Sequence, residues 1–215
     1  MNATIAFSGV TKRYGATLAL DALTLDVQQG EMFGLIGSDG AGKTTAIRLM
    51  CGLLRADAGE VRVLGHDPVL EHRQLTARVG YLSQRFSLYG DLTVDENVAF
   101  FAEVHGVRRY EGRRDELLAM TQLTAFRSRL ADRLSGGMKQ KLALICTLVH
   151  EPELLLLDEP TTGVDPVYRR KFWKLLSEFL SHGIPILMST PFLDEPERCT
   201  RVALLPEARL VTSAE

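Results

Sequence analysis

Gly37-Ser-Asp-Gly-Ala-Gly42-Lys43-Thr44 is the stretch that decides the fold. Its glycines, Gly37, Gly40 and Gly42, let consecutive backbone N–H groups curl around phosphate oxygens, with Ser38, Asp39 and Ala41 completing the cradle. Lys43 is spaced to reach the β- and γ-phosphates of a nucleotide, and the Thr44 hydroxyl to ligate Mg²⁺. The flanks agree with this reading of a phosphate-binding loop (P-loop). Glu31–Ile36 predicts a buried strand before it, and Lys43–Cys51 a helix after it, stopped by Gly52, so that the helix N-terminus adds positive potential at the phosphates.

Downstream, Leu154-Leu-Leu-Leu-Asp158-Glu159 predicts a strand buried on both faces that delivers two adjacent carboxylates to the same sheet edge. Asp158 suits Mg²⁺ held through water, and Glu159 suits a general base for the attacking water. A run of leucines ending in Asp-Glu is ordinary by itself. It gains its meaning from the P-loop upstream.

Short strands are expected at Ile5–Val10, Leu23–Val27, Val61–Leu64, Val79–Leu82, Ile184–Ser189 and Val202–Leu205. Thr93-Val-Asp-Glu96 has capping-box spacing and opens a helix through Phe100 and Val104, followed by an Arg-rich helical stretch to about Leu130. Asp165-Pro166 starts another helix, with Phe172, Leu175, Leu176, Phe179 and Leu180 on one face. Buried strands alternating with amphipathic helices predict an α/β protein.

Bulk composition narrows the function. The 25 Lys and Arg nearly balance 27 Asp and Glu, and no basic arm or polybasic patch points to nucleic acid or a lipid surface. The longest apolar stretch, Leu142–Val149, is far below the roughly 20 residues that span a bilayer, and the N-terminus has no apolar signal core, so a soluble, cytosolic chain is expected. Cys51, Cys146 and Cys199 are odd in number and widely spaced, which fits buried free thiols better than a disulfide or a metal site.

Leu134-Ser135-Gly136-Gly137-Met138, placed between the P-loop and the Leu154 strand and followed by an apolar-periodic helix, separates this chain from other P-loop proteins. With these motifs in order over nearly its whole length, the chain resembles the ATP-binding cassette (ABC) ATPases. The resemblance implies one domain over residues 1–215. Its P-loop NTPase core would have a mixed, mainly parallel sheet, an antiparallel β subdomain and a helical insert at about 84–134. It implies ATP and Mg²⁺ as cofactors, and a second ATP-binding cassette, identical or different, as partner. In such a pair the Ser135-Gly136-Gly137 turn closes on the γ-phosphate held by the partner's P-loop. Integral membrane permease subunits would be the other partners, on the cytoplasmic face of the cell membrane.

Single positions follow from the same resemblance. Tyr14 stands where an aromatic stacks on adenine, although a Tyr in a turn is by itself more often simple packing. Thr45 matches the residue that contacts the α-phosphate. Gln84 matches the lid glutamine that senses Mg²⁺ and the attacking water, beside the segment facing the membrane subunits. Gly163-Val-Asp165-Pro166 matches the loop that crosses the dimer interface, and equally fits a local helix cap.

The departures carry more information. In Ser189-Thr190-Pro191-Phe192-Leu193-Asp194-Glu195 a proline occupies the place of the family's switch histidine. Proline has neither a side-chain donor nor a backbone N–H, so a contact to the γ-phosphate is lost, with hydrolysis slowed by roughly 10²–10³-fold. Ser38-Asp39 replaces the commoner Pro-Asn, Met138 replaces a Gln, and Pro196 interrupts the helix after the switch loop. Together with Gln84-Arg-Phe-Ser-Leu-Tyr89, these traits resemble bacterial drug-exporter ATPases, especially the first half of chains carrying two cassettes. Three functions are therefore expected in order. They are an ATP hydrolase driving an exporter, a mainly non-hydrolysing half that completes a partner's site, and a soluble cassette acting on ribosomes or DNA.

Overall fold

Tyr14 and Thr17 face each other across Gly15, whose left-handed backbone (φ 58°) allows the tight reversal that folds residues 5–27 into a long hairpin. Its strands are β1 (Ile5–Tyr14) and β2 (Thr17–Val27), with Ile5, Phe7, Val10, Leu20, Leu25 and Val27 turned inward. In the computed structural model, which describes residues 3–85, 88–163, 165–192, 196–205 and 209–210, β4 (Ala58–Val63) and β9 (Arg209–Leu210) flank this hairpin. The result is an antiparallel sheet of order β4-β1-β2-β9. The strands of the hairpin are longer than expected from Ile5–Val10 and Leu23–Val27. Register shifts between Phe7 and Arg13, near the left-handed Gly9, interrupt the two-residue alternation by which a strand is read. Leu64, expected as a strand residue, instead turns with φ 51°.

A second sheet contains β3 (Met32–Ile36), β5 (Val79–Leu82), β6 (Leu154–Asp158), β7 (Ile186–Thr190) and β8 (Arg201–Leu204), all parallel, in the order β5-β6-β7-β3-β8. β3, β6 and β7 are buried at every residue. Alternate side chains of one strand serve two cores: Leu154 and Leu156 pack with the hairpin and α1 (Lys43–Met50), whereas Leu155 and Leu157 pack with the helices of the other face. Both faces being covered is what a continuous Leu run requires.

The other helices are α2 (His72–Thr76), α3 (Val94–Val104), α4 (Glu111–Met120), α5 (Gly136–Leu148) and α6 (Pro166–Ser181). The capping box at α3 is formed in full. Thr93 Oγ1 accepts from the Glu96 N–H, and the Thr93 N–H donates to Glu96 Oε2 at 2.8 Å. Helix α4 stops at Met120, short of the expected Leu130, because Gln122 adopts φ 60°. The chain then runs through short 3₁₀ turns at Thr124–Phe126 and Ala131–Arg133. The strand expected from Ile184 begins at Ile186, after Pro185. Cys51 and Cys146 are buried, with burial pushing both thiols up, whereas Cys199 is only half-buried. Among the described residues no helix is long and apolar enough to cross a membrane. The expectations placed on Phe86, Ser87, Val164 and Leu193-Asp194-Glu195 lie outside the described residues.

Candidate nucleotide site

All five strands of the parallel sheet end on one edge, where an α/β sheet collects its ligands. β3 runs into the P-loop, β6 into Asp158 and Glu159, β7 into Thr190 and Pro191, and β5 toward Gln84. Because β7 lies between β3 and β6, the P-loop and the two carboxylates flank its end.

The P-loop turns on glycines with specific reasons. Gly40 and Gly42 take φ of 84° and 95°, and a Cβ on Gly42 would collide with the Ala19 carbonyl oxygen and reach 2.9 Å from Leu20 Cδ2. The hairpin thus packs against the loop where only glycine fits. Lys43 is 3% exposed, and its Nζ donates to the Gly37 and Ser38 carbonyls at 2.7 and 2.9 Å. It also pairs with Glu159 Oε1 at 3.0 Å, within a nearly water-free pair of side chains. Thr44 Oγ1 donates to Asp158 Oδ1 at 3.1 Å.

Glu159 carries φ 49°, a left-handed backbone that costs a non-glycine residue roughly 1–2 kcal/mol. Its surroundings hold it there: Gln84 Nε2 donates to Oε2 at 2.9 Å, Thr162 Oγ1 at 3.2 Å, and its own N–H donates to Ser189 Oγ at 2.9 Å. Asp158 accepts from Ser189 Oγ at 2.8 Å. The Tyr81 hydroxyl is pushed up to about 12, by burial first and then by the negative charge of Asp158.

A cavity of about 430 Å³, within the range of small-ligand sites, opens over the loop. Its wall includes Tyr14, Asp39, Lys43, Thr45, Gln84 and Glu159. Tyr14 is 46% exposed, leaving ring surface available for stacking. Asp39, whose direction was open from sequence, is exposed and lines the cavity.

Ser135, Gly136 and Gly137 are not part of this wall. Ser135 caps α5, its Oγ accepting from the Met138 N–H at 3.3 Å, and both Ser135 and Gly136 are exposed. A Cβ on Gly136 would meet nothing within 4 Å, so packing inside this chain does not demand glycine there. Pro191 is half-buried and follows Thr190, whose carbonyl accepts from the Gly37 N–H at 3.4 Å. Ser189 and Thr162 carry site contacts to which no role was assigned from sequence. A polar residue inside the apolar strand Ile186-Leu-Met-Ser-Thr190 is the signal that marks Ser189.

The oxygen donors near the P-loop, the Thr44 hydroxyl, the Asp158 carboxylate and the Gln84 amide, suit a hard cation. They are too few to chelate it without phosphate oxygens, as is usual for Mg²⁺.

A family model described as "ABC transporter" matches residues 20–162. The chain is similar, at 45% identity over 219 residues, to the probable multidrug ABC transporter ATP-binding protein YbhF of Escherichia coli, with 100% of this chain and 38% of that protein aligned. It is 41% identical to the Nod factor export ATP-binding protein I of Burkholderia thailandensis, over 97% of this chain and 70% of the relative. With the daunorubicin resistance ATP-binding protein DrrA3 of Streptomyces coeruleorubidus it shares 39% identity over 96% of this chain and 66% of the relative. The chain thus spans under two-fifths of the length of YbhF. Among solved structures, an ATP-binding subunit of an ABC transporter superposes with a TM-score of 0.84 at 30% identity, covering 95% of this chain and 86% of that one. The cbiO1 protein of Clostridium perfringens, part of a cbiONQ ABC transporter complex, gives 0.87 at 26% identity, covering 96% and 86%.

Proposed function

The chain belongs to the ABC transporter family of ATP-binding domains, and from that premise we propose how its residues bind and hydrolyse ATP and what they assemble with. The carrying observation is the convergence of Lys43, Thr44, Asp158, Glu159 and Gln84 on one sheet edge. In this reading Tyr14 stacks on adenine, the Gly37–Thr44 backbone and Thr45 hold the phosphates, and Thr44, Asp158 and Gln84 face Mg²⁺. A bound Mg²⁺ neutralises charge on the β- and γ-phosphate oxygens.

Lys43 is held by two carbonyls and Glu159, so phosphate oxygens compete with Glu159 for its ammonium. Once Lys43 turns to phosphate, Glu159 retains Gln84 and Thr162 as donors and is free to accept a proton from water. Gln84 orients that carboxylate, and the left-handed backbone keeps it over the cavity.

The Ser135-Gly136-Gly137 turn, exposed at Ser135 and Gly136 on a helix N-terminus outside the cavity wall, supports completion of the site by a second cassette. Each chain then lends this turn to its partner's γ-phosphate. By analogy with the exporter relatives, the paired domains, with residues 1–215 as one ATP-binding domain and about 84–134 as its helical part, dock on membrane permease subunits at the cytoplasmic face and power export.

ATP binding and phosphate release by the chain and by Lys43→Ala test this reading. The wild-type chain is expected to release phosphate only with Mg²⁺, and EDTA to stop it. Lys43→Ala is expected to lose about 10- to 100-fold in ATP affinity, the worth of a charge-assisted contact. Unchanged affinity in a folded Lys43→Ala chain, or turnover indifferent to chelator, would sink it.

A further inference from the structure

Ser189 is wholly buried near the end of β7, after Ile186, Leu187 and Met188, where packing alone asks for no hydroxyl. The parallel register sets it directly opposite Asp158. Its Oγ accepts from the Glu159 N–H at 2.9 Å and donates to Asp158 Oδ1 at 2.8 Å. Neither bond can be reversed, because an amide N–H only donates and an ionised carboxylate only accepts. The one hydroxyl therefore has a fixed orientation and both its neighbours are specified.

We propose that Ser189 is a positioning residue for hydrolysis, clamping the peptide between Asp158 and Glu159 so that the left-handed turn holds both carboxylates in place. This rests on the reading of Glu159 as general base and Asp158 as the carboxylate facing Mg²⁺. The clamp acts where strain is stored: a glutamate at φ 49° persists only if its surroundings over-determine it. Among the described residues, the Ser189 bond is the contact that fixes the Glu159 backbone N–H. Of the other contacts of Glu159, its carbonyl accepts from the Thr162 N–H at 3.2 Å, whereas Lys43, Gln84 and the Thr162 hydroxyl hold its carboxylate, from which Lys43 is drawn off by phosphate. Anchoring of the base during turnover thus falls on its backbone, where the Ser189 hydroxyl holds the N–H of the peptide shared with Asp158. Without it the peptide rotates toward an ordinary φ, and a displacement of about 1 Å at the base is enough to cost on the order of 10²-fold in rate. Asp158 is affected in parallel, keeping Thr44 but losing the second donor to the same oxygen.

The test compares Ser189→Ala, Ser189→Cys and Ser189→Thr with wild type, by radioactive phosphate release, ATP affinity and melting. Ala and Cys are expected to lower turnover about 10- to 100-fold, with ATP affinity within about threefold and a raised Mg²⁺ half-saturation. Thr, which keeps the hydroxyl, restores most of the rate. Should Ala fail to fold, Cys, close to Ser in volume but weak in hydrogen bonding, reads the same prediction. In the Glu159→Gln background Ser189→Ala is expected to add little, since a positioning residue acts through the group it positions. Turnover within about twofold of wild type in folded Ala and Cys variants overturns the proposal, as does a loss that multiplies fully with Glu159→Gln. Wild-type turnover in Glu159→Gln alone would instead remove the base assignment. The Mg²⁺ half-saturation of Ser189→Ala then decides the matter, an unchanged value overturning the clamp.

Discussion

Pro191 stands one residue beyond a carbonyl that is hydrogen-bonded to the start of the P-loop, and the proposed reading puts this position at the γ-phosphate. Proline uses that place for no donor at all. Its neighbour Phe192 is turned to another purpose, its ring lying under the Arg169 guanidinium at 4.1 Å and its N–H donating to Thr190 Oγ1. A contact that tightens only as charge builds on the γ-phosphate affects rate more than binding. Pro191→His is therefore expected to raise phosphate release by about 10- to 10³-fold while ATP affinity stays within about threefold. Phosphate release unchanged in a folded Pro191→His chain would show that the switch position contributes nothing to rate here. The identity of these residues was legible from sequence, but the Lys43–Glu159 ion pair and the left-handed turn at Glu159 were not. The ion pair joins segments 116 positions apart in the chain that only the folded sheet brings to one edge, and the turn at Glu159 is held by contacts from other strands and loops of that edge.

At the scale of elements, β6 matched expectation closely because a strand buried on both faces is written as an unbroken apolar run, and the short edge strand β5 also fell at Val79–Leu82. The Thr93–Glu96 box marked the start of α3 because its chemistry is local. The hairpin was under-read beyond Val10 because bulges break its alternation. The five-residue α2 was missed because it is too short to show a helical period.

The start of α5 is where an element's local and functional readings can be separated. Gly136 is exposed, takes no left-handed backbone and has open space where a Cβ would stand, so Gly136→Gln is expected to fold with stability within about 0.5 kcal/mol of wild type. ATP affinity should also be kept. Turnover is expected to fall about 10-fold or more when this turn must close on a partner's nucleotide, measured beside wild type at matched chain concentration. Full turnover in Gly136→Gln would mean that no partner approaches this helix end closely.

For the whole molecule, the parallel sheet divides the interior into two cores, one shared with the antiparallel hairpin and α1, the other with α3 through α6. The edge between them gathers the P-loop, both carboxylates and Gln84, while the Ser135 turn stays outside the cavity wall. In the proposed reading a lone chain binds ATP by itself and needs a second cassette for hydrolysis, which is consistent with its place in a family of ABC transporter ATP-binding domains. The P-loop and the paired carboxylates were readable from sequence because each is a contiguous motif, and the fold class because buried strands alternate with amphipathic helices along the chain. Ser189 and Thr162 escaped because their contacts with Glu159 exist only across the β6–β7 junction and in the turn that follows β6.

The most direct measurement is phosphate release by Glu159→Gln against wild type at saturating Mg²⁺ and ATP, with ATP affinity taken on the same preparations. If Glu159 is the base of this site, turnover falls by about 10²–10⁴-fold while affinity stays within about threefold. Glu159→Gln turning over at the wild-type rate would contradict that.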